Sequence, residues 1–150
     1  MAAHVLPPIA GGLLIVAAFS AIMSTVNALL SRGRRAGILT VSASALTAEH
    51  LTKAGVPAGT PIATTEGGRE FTRAILGNEM EMDVGAARHD NVEAAARLVS
   101  DHPEVGAIVL ECTNMVPYAA DIREATGLPV FSIETFVAWF HAGLVPRRYG

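Results

Sequence analysis

The sequence predicts an α/β domain with a parallel four-stranded sheet flanked by helices, and three observations predict it. Short β-branched runs alternate with amphipathic stretches from Arg35 onward, the rhythm of strand, crossover helix and strand. The run GAIVL, ending at Leu110, is apolar without interruption, as a strand covered on both faces is. The stretches between such runs carry legible helix starts and stops. At 150 residues and 51% hydrophobic content, the chain has the length of one ordinary domain and the apolar material to build its core.

Residues 1–33 precede this pattern as an extra apolar segment, and 34–150 form the α/β lobe. No Lys, Arg, Asp or Glu occurs from Val5 through Ser31, a length that could cross a bilayer. Pro7, Pro8, Gly11, Gly12, Ser20, Ser24, Thr25 and Asn27 interrupt the run, and no basic residue precedes it as a secretory signal requires. A buried strand and helix is therefore favoured over a membrane contact through residues 9–30, although Arg32, Arg34 and Arg35 would suit a cytoplasmic flank.

Four strands are expected: Ala36 to Thr40, Thr60 to Ala63 (the weakest), Val105 to Leu110, and Leu128 to Ser132. A helix from Ser44 to Ala54 is closed by Gly55. Asp83 can cap a long helix running to about His102, before Pro103. Along that helix Val84, Ala87, Val92, Ala95, Ala96 and Val99 fall mostly at helical spacing, with Arg88, Asp90, Glu93, Arg97 and Asp101 left for water. A shorter helix from Pro117 to Thr126 ends at Gly127, with Pro117 in its first turn, and a last one runs from about Glu134 to Leu144. Between Thr64 and Met82 lies a loop with a short helix, of a size that often covers a site near a strand end.

Charge and cysteine content narrow the function. A net charge of −3 with 11 Lys plus Arg provides no basic stripe for a run of phosphates, so nucleic acid is not expected as a partner. One cysteine cannot form an internal disulfide, and no Cys/His cluster has metal-ligand spacing; a free thiol in a reducing, cytoplasmic compartment fits.

In an open parallel sheet, ligands sit beyond the carboxyl ends of the strands, where following helices offer unpaired amides. Two polar clusters map there: Thr40-Val41-Ser42-Ala43-Ser44 after the first strand, and Glu111-Cys112-Thr113-Asn114 after the third. Cys112 is placed where a helix amino terminus would lower its pKa and make it a base or nucleophile; the competing role is packing as a small hydrophobe. Thr113 and Asn114 suit either substrate contact or a cap, and Thr40 and Ser42 either ligand binding or capping of the next helix. Glu111 is read as a loop charge ahead of a proton shuttle. His141, beside Trp139 and Phe140, is read as a packed helix residue.

The segment VGAIVLECTNMVPYAADIREATGLPVFSIETFVAWF resembles the second cysteine region of the aspartate/glutamate/hydantoin racemase family, and GILTVSASALTAEHLTKAGV resembles that family's strand and Thr-containing loop. The resemblance covers about Arg34 to Gly150. It implies a flavodoxin-like lobe, no cofactor, and proton transfer at the α-carbon of a small carboxylic acid by cysteine thiols, one from each of two lobes. Cys112 stands where the second of those cysteines does, followed by Thr113, with Asn114 where many members have His or Asn. Nothing in the sequence matches the first cysteine or the first lobe, so the chain reads as a shortened member, weak or inactive alone.

Three functions stay open on this reading. The first is an amino-acid racemase or isomerase. The second is a one-cysteine decarboxylase or maleate-type isomerase of the same superfamily. The third is a non-catalytic domain that binds a carboxylate or pairs with another chain, either a second copy or a complementing one.

Overall fold

A computed structural model describes residues 19–26, 33–146 and 148. Residues 19–26 are helical (α1) and bury Phe19, Ile22, Met23 and Val26. They belong to the apolar segment for which a buried strand and helix is expected; the rest of the segment, including most of residues 9–30, lies outside the described residues. Among the described residues no helix is long and apolar enough to cross a membrane.

Four strands follow, β1 (Arg35–Thr40), β2 (Ile62–Thr64), β3 (Val105–Leu110) and β4 (Val130–Phe131), all parallel and in the order β2-β1-β3-β4. The helices between and after them are α2 (Ala48–Lys53), α3 (Phe71–Leu76), α4 (Val84–Asp101), α5 (Ala119–Thr126) and α6 (Ile133–Leu144). A 3-10 turn at Thr113–Tyr118 joins β3 to α5.

The pleat sends alternate side chains to opposite faces, and each face has its own core. Leu39, Ile108 and Leu110 pack with Phe71, Ala87, Ala94, Ala95, Leu98, Met115, Tyr118 and Ile122 on the side of α3, α4 and α5. Ala36, Ile38, Ala107 and Val109 pack with Phe19, Ile22, Met23 and Val26 on the side of α1, α2 and α6. Gly37 faces α4, where an added Cβ would lie 2.9 Å from Leu98 Cδ2, so the missing side chain is what lets helix and strand approach.

Several expected boundaries move, each for a local reason. α2 begins at Ala48 rather than Ser44, because Thr47 and His50 form a reciprocal capping box while the serines before it are engaged elsewhere. The helix expected from Pro117 is a 3-10 turn as far as Tyr118, with α5 starting at Ala119 and closing at Gly127, which has φ of 69°. β2 sits at Ile62–Thr64, and β4 keeps two residues because Ser132 leaves the ladder to cap α6 together with Thr135.

Within α4, Asp83 caps the first turn as expected, but Val84 and Ala96 are exposed and Asp90 is buried instead of facing water. Its carboxylate accepts the backbone N–H groups of Arg69 (3.0 Å), Glu70 (2.7 Å) and Phe71 (2.8 Å), the otherwise unpaired donors at the start of α3. Gly68 leaves room for it, since a Cβ there would fall 2.6 Å from Asp90 Cγ.

Candidate functional site

The carboxyl ends of the four strands form one rim, and Thr40, Ser42, Glu111, Cys112, Thr113 and Asn114 all follow strand ends on it, although they do not converge on one point. Continuing the alternation of β3, Glu111 turns toward the α1/α6 side and Cys112 toward the α4/α5 side, where it packs against the core while remaining partly exposed. Thr40 ends β1 buried, and its Oγ1 donates to Glu111 Oε2 at 2.8 Å, tying β1 to the loop after β3. Thr113 and Asn114 are exposed, with side chains that make no hydrogen bond among the described residues. A cleft of about 20 Å³, room for one water, lies between Glu111, Thr113, Phe19, Ile22 and Ile133.

Burial pushes the Cys112 thiol above the ordinary cysteine value; the backbone amides of Asn114 and Met115 oppose this, and the neighbouring Glu111 adds to it. The expected lowering by a helix amino terminus is absent for a structural reason. The segment after Cys112 is a 3-10 turn, and the α5 dipole starts only at Ala119. At neutral pH this sulfur is a thiol, a proton donor rather than a ready base.

Ser42 belongs to a separate cluster on the β2 side, built around a residue the sequence did not single out. Glu66, just past β2, accepts hydrogen bonds from Ser42 Oγ (2.6 Å) and Ser44 Oγ (2.7 Å) on Oε1. On Oε2 it accepts from the Ala43 N–H (2.9 Å), the Ser44 N–H (3.4 Å) and Thr64 Oγ1 (3.3 Å). These donors, the two serine hydroxyls foremost, lower its pKa to about 2. Ser42 Oγ also accepts the Ala45 N–H at 3.3 Å, so Ser42 shapes the turn and clasps Glu66 instead of capping α2. A detectable signal was the acidic residue directly before Gly67-Gly68 at a strand end.

A second cavity, of about 390 Å³, lies beside the β2 edge between Thr64, Glu66, Arg97, Asp101 and His102, away from Cys112. Among the described residues no group of three or more His, Cys, Asp or Glu side chains is placed to hold a metal ion. His141 is on an exposed part of α6, not packed.

An all-parallel β2-β1-β3-β4 sheet with helices on both faces is the α/β fold of the aspartate/glutamate/hydantoin racemases. Among solved structures, allantoin racemase from Pseudomonas fluorescens superimposes with a TM-score of 0.52 at 17% identity, over 91% of this chain and 59% of that one. A dimethylsulfoniopropionate lyase from Durusdinium sp. clade D is 38% identical over 60 residues, which are 39% of this chain and 20% of that protein. The chain thus spans about three-fifths of the racemase and matches a fifth of the lyase. No family model matches the chain.

Proposed function

We propose that the rim around Cys112 moves a proton to or from the carbon next to a carboxylate in a small carboxylic acid, without a cofactor, with Cys112 as the acid/base group. The observation that carries this reading is a partly exposed, protonated thiol at the strand-to-turn junction, flanked by the exposed donors Thr113 and Asn114. The likeness to a racemase and a lyase supports the broad reaction class, since racemisation exchanges a proton on a stereogenic carbon.

In this reading Thr113 and Asn114 hold the carboxylate, whose negative charge grows toward an enolate in the transition state. Thr40 fixes Glu111, and burial, with Glu111 adding to it, pushes the thiol's pKa up. One thiol delivers a proton to one face only. Proton delivery to the carbanion that a malonate leaves on losing CO₂ therefore suits a single thiol better than a two-base racemisation, whereas a maleate-type isomerase would use the sulfur to add to the alkene and leave again after rotation.

Incubation of the protein in D₂O with amino acids, malonates and maleate, followed by NMR for deuterium at the α-carbon, tests the proposal. The expected result is incorporation that Cys112→Ala abolishes and Cys112→Ser reduces by about two orders of magnitude. Equal incorporation by the parent and Cys112→Ala would remove Cys112 from the chemistry. No incorporation from any substrate would favour the non-catalytic, carboxylate-binding reading.

A further inference from the structure

β2 is an outer strand of the sheet, and its free side is open among the described residues. Pro61 O accepts the Ile38 N–H at 2.9 Å and the Thr65 N–H donates to Thr40 O at 3.1 Å, so Pro61, Ala63 and Thr65 face β1 with their main-chain groups. By the two-residue alternation of a parallel ladder, Ile62 and Thr64 turn their N–H and C=O groups outward, and among the described residues these groups have no hydrogen-bond partner. Such edges are commonly blunted by a charge or a proline within the strand, and Ile62-Ala63-Thr64 has neither. Instead the cleft of about 390 Å³ runs beside them, with Leu98 of α4 on its other wall.

Charge selects what can lie there. Glu66 stands just past the carboxyl end of β2, and Asp101 is the last residue of α4, which runs back to the amino end of the sheet, so the cleft carries a carboxylate toward each end. Between them Arg97 is held by Glu93 at 2.7 Å, and His102 stands 3.6 Å from Glu104. The donors around Glu66 are neutral hydroxyls and amides, and Asp101 has no ion pair among the described residues. The cleft therefore sets uncompensated negative charge beside unpaired main-chain donors and acceptors.

We propose that the free edge of β2 binds an extended basic segment of a partner protein, which adds as a further strand and sets Lys or Arg side chains against Glu66 and Asp101. Main-chain bonds to Ile62 and Thr64 supply the attachment, and the two carboxylates supply the selection. A three-residue edge makes this a reversible contact, with a dissociation constant on the order of 10 to 100 μM. The cleft lies away from Cys112, so the contact is read without reference to catalysis.

Fluorescence anisotropy of a labelled KVKVK peptide with the full chain tests the proposal, together with amide hydrogen exchange at Ile62 and Thr64. The expected result is saturable binding that slows exchange at both amides by about tenfold or more, while the acidic counterpart EVEVE does not bind. Methylating the peptide nitrogens that face the edge should weaken binding about tenfold, and Asp101→Lys, on an exposed helix end, about fivefold. Absence of saturable binding overturns the proposal. Binding indifferent to N-methylation, or displaced completely by spermidine, also overturns it and assigns the cleft to small polycations. Protection of Ile62 and Thr64 that grows with protein concentration in the absence of peptide would give the edge to a second copy and overturn it as well.

Discussion

Cys112 gains its character from burial, one charged neighbour and one turn of backbone. Partial burial and Glu111 hold the thiol protonated, and the 3-10 geometry keeps the α5 dipole from reversing that. Because only the thiolate attacks, iodoacetamide should alkylate Cys112 more slowly than free cysteine at pH 8, with a midpoint of the rate–pH curve above that of free cysteine. A midpoint below it would mean that the local amides dominate. Glu66 shows the opposite sign, a carboxylate surrounded by donors from two loops. Glu66→Ala should release the turn at residues 42–44, read as amide hydrogen exchange at Ala43 and Ser44 faster by about tenfold or more. Cys112 and Thr40 were legible in the sequence because a polar residue ending an apolar strand marks the rim. The clasp on Glu66 was not, since the donors from Ser42, Ala43 and Ser44 lie more than twenty positions away.

At the level of elements, α4 was the most legible, from its Asp83 cap to its end before Pro103, since local capping and periodicity define it. Asp90 escaped that reading because helical spacing assigns a residue to a face but does not reveal which backbone amides wait there. It anchors α3 to α4 through three N–H groups, so Asp90→Ala should cost about 2–4 kcal/mol in chemical denaturation, and Asp90→Asn less. Gly37 sets the distance between β1 and α4. Gly37→Ala should destabilise by about 1–3 kcal/mol through overpacking against Leu98 and Val105. The short strands β2 and β4 were located only roughly, because two or three residues carry too little alternation to fix a boundary.

For the whole molecule, Glu66 and Asp90 contribute, alongside Glu70, to the response to acid. All three carboxyls titrate below their usual values in the folded chain, Glu66 near 2, so the stability they contribute is complete above about pH 4.5. It is lost progressively as the pH falls through the folded values. Denaturant midpoints should therefore drop between pH 4.5 and 2, and the drop should shrink in a Glu66→Gln/Asp90→Asn double variant; an unchanged acid slope would assign the effect to other carboxyls. The parallel α/β class was readable across the molecule because buried strands are apolar throughout. The strand order was not, since it depends on pairings between segments far apart.

That order has a consequence during synthesis. β1 is flanked by β2 and β3, and Thr40 reaches Glu111 across 71 positions. A ribosome delivering this chain releases β1 about seventy residues before β3 exists, so the sheet cannot close until β3 has emerged. Meanwhile, among the described strands, β2 is the one that β1 can join, and the nascent β1–β2 pair waits with its other edge open.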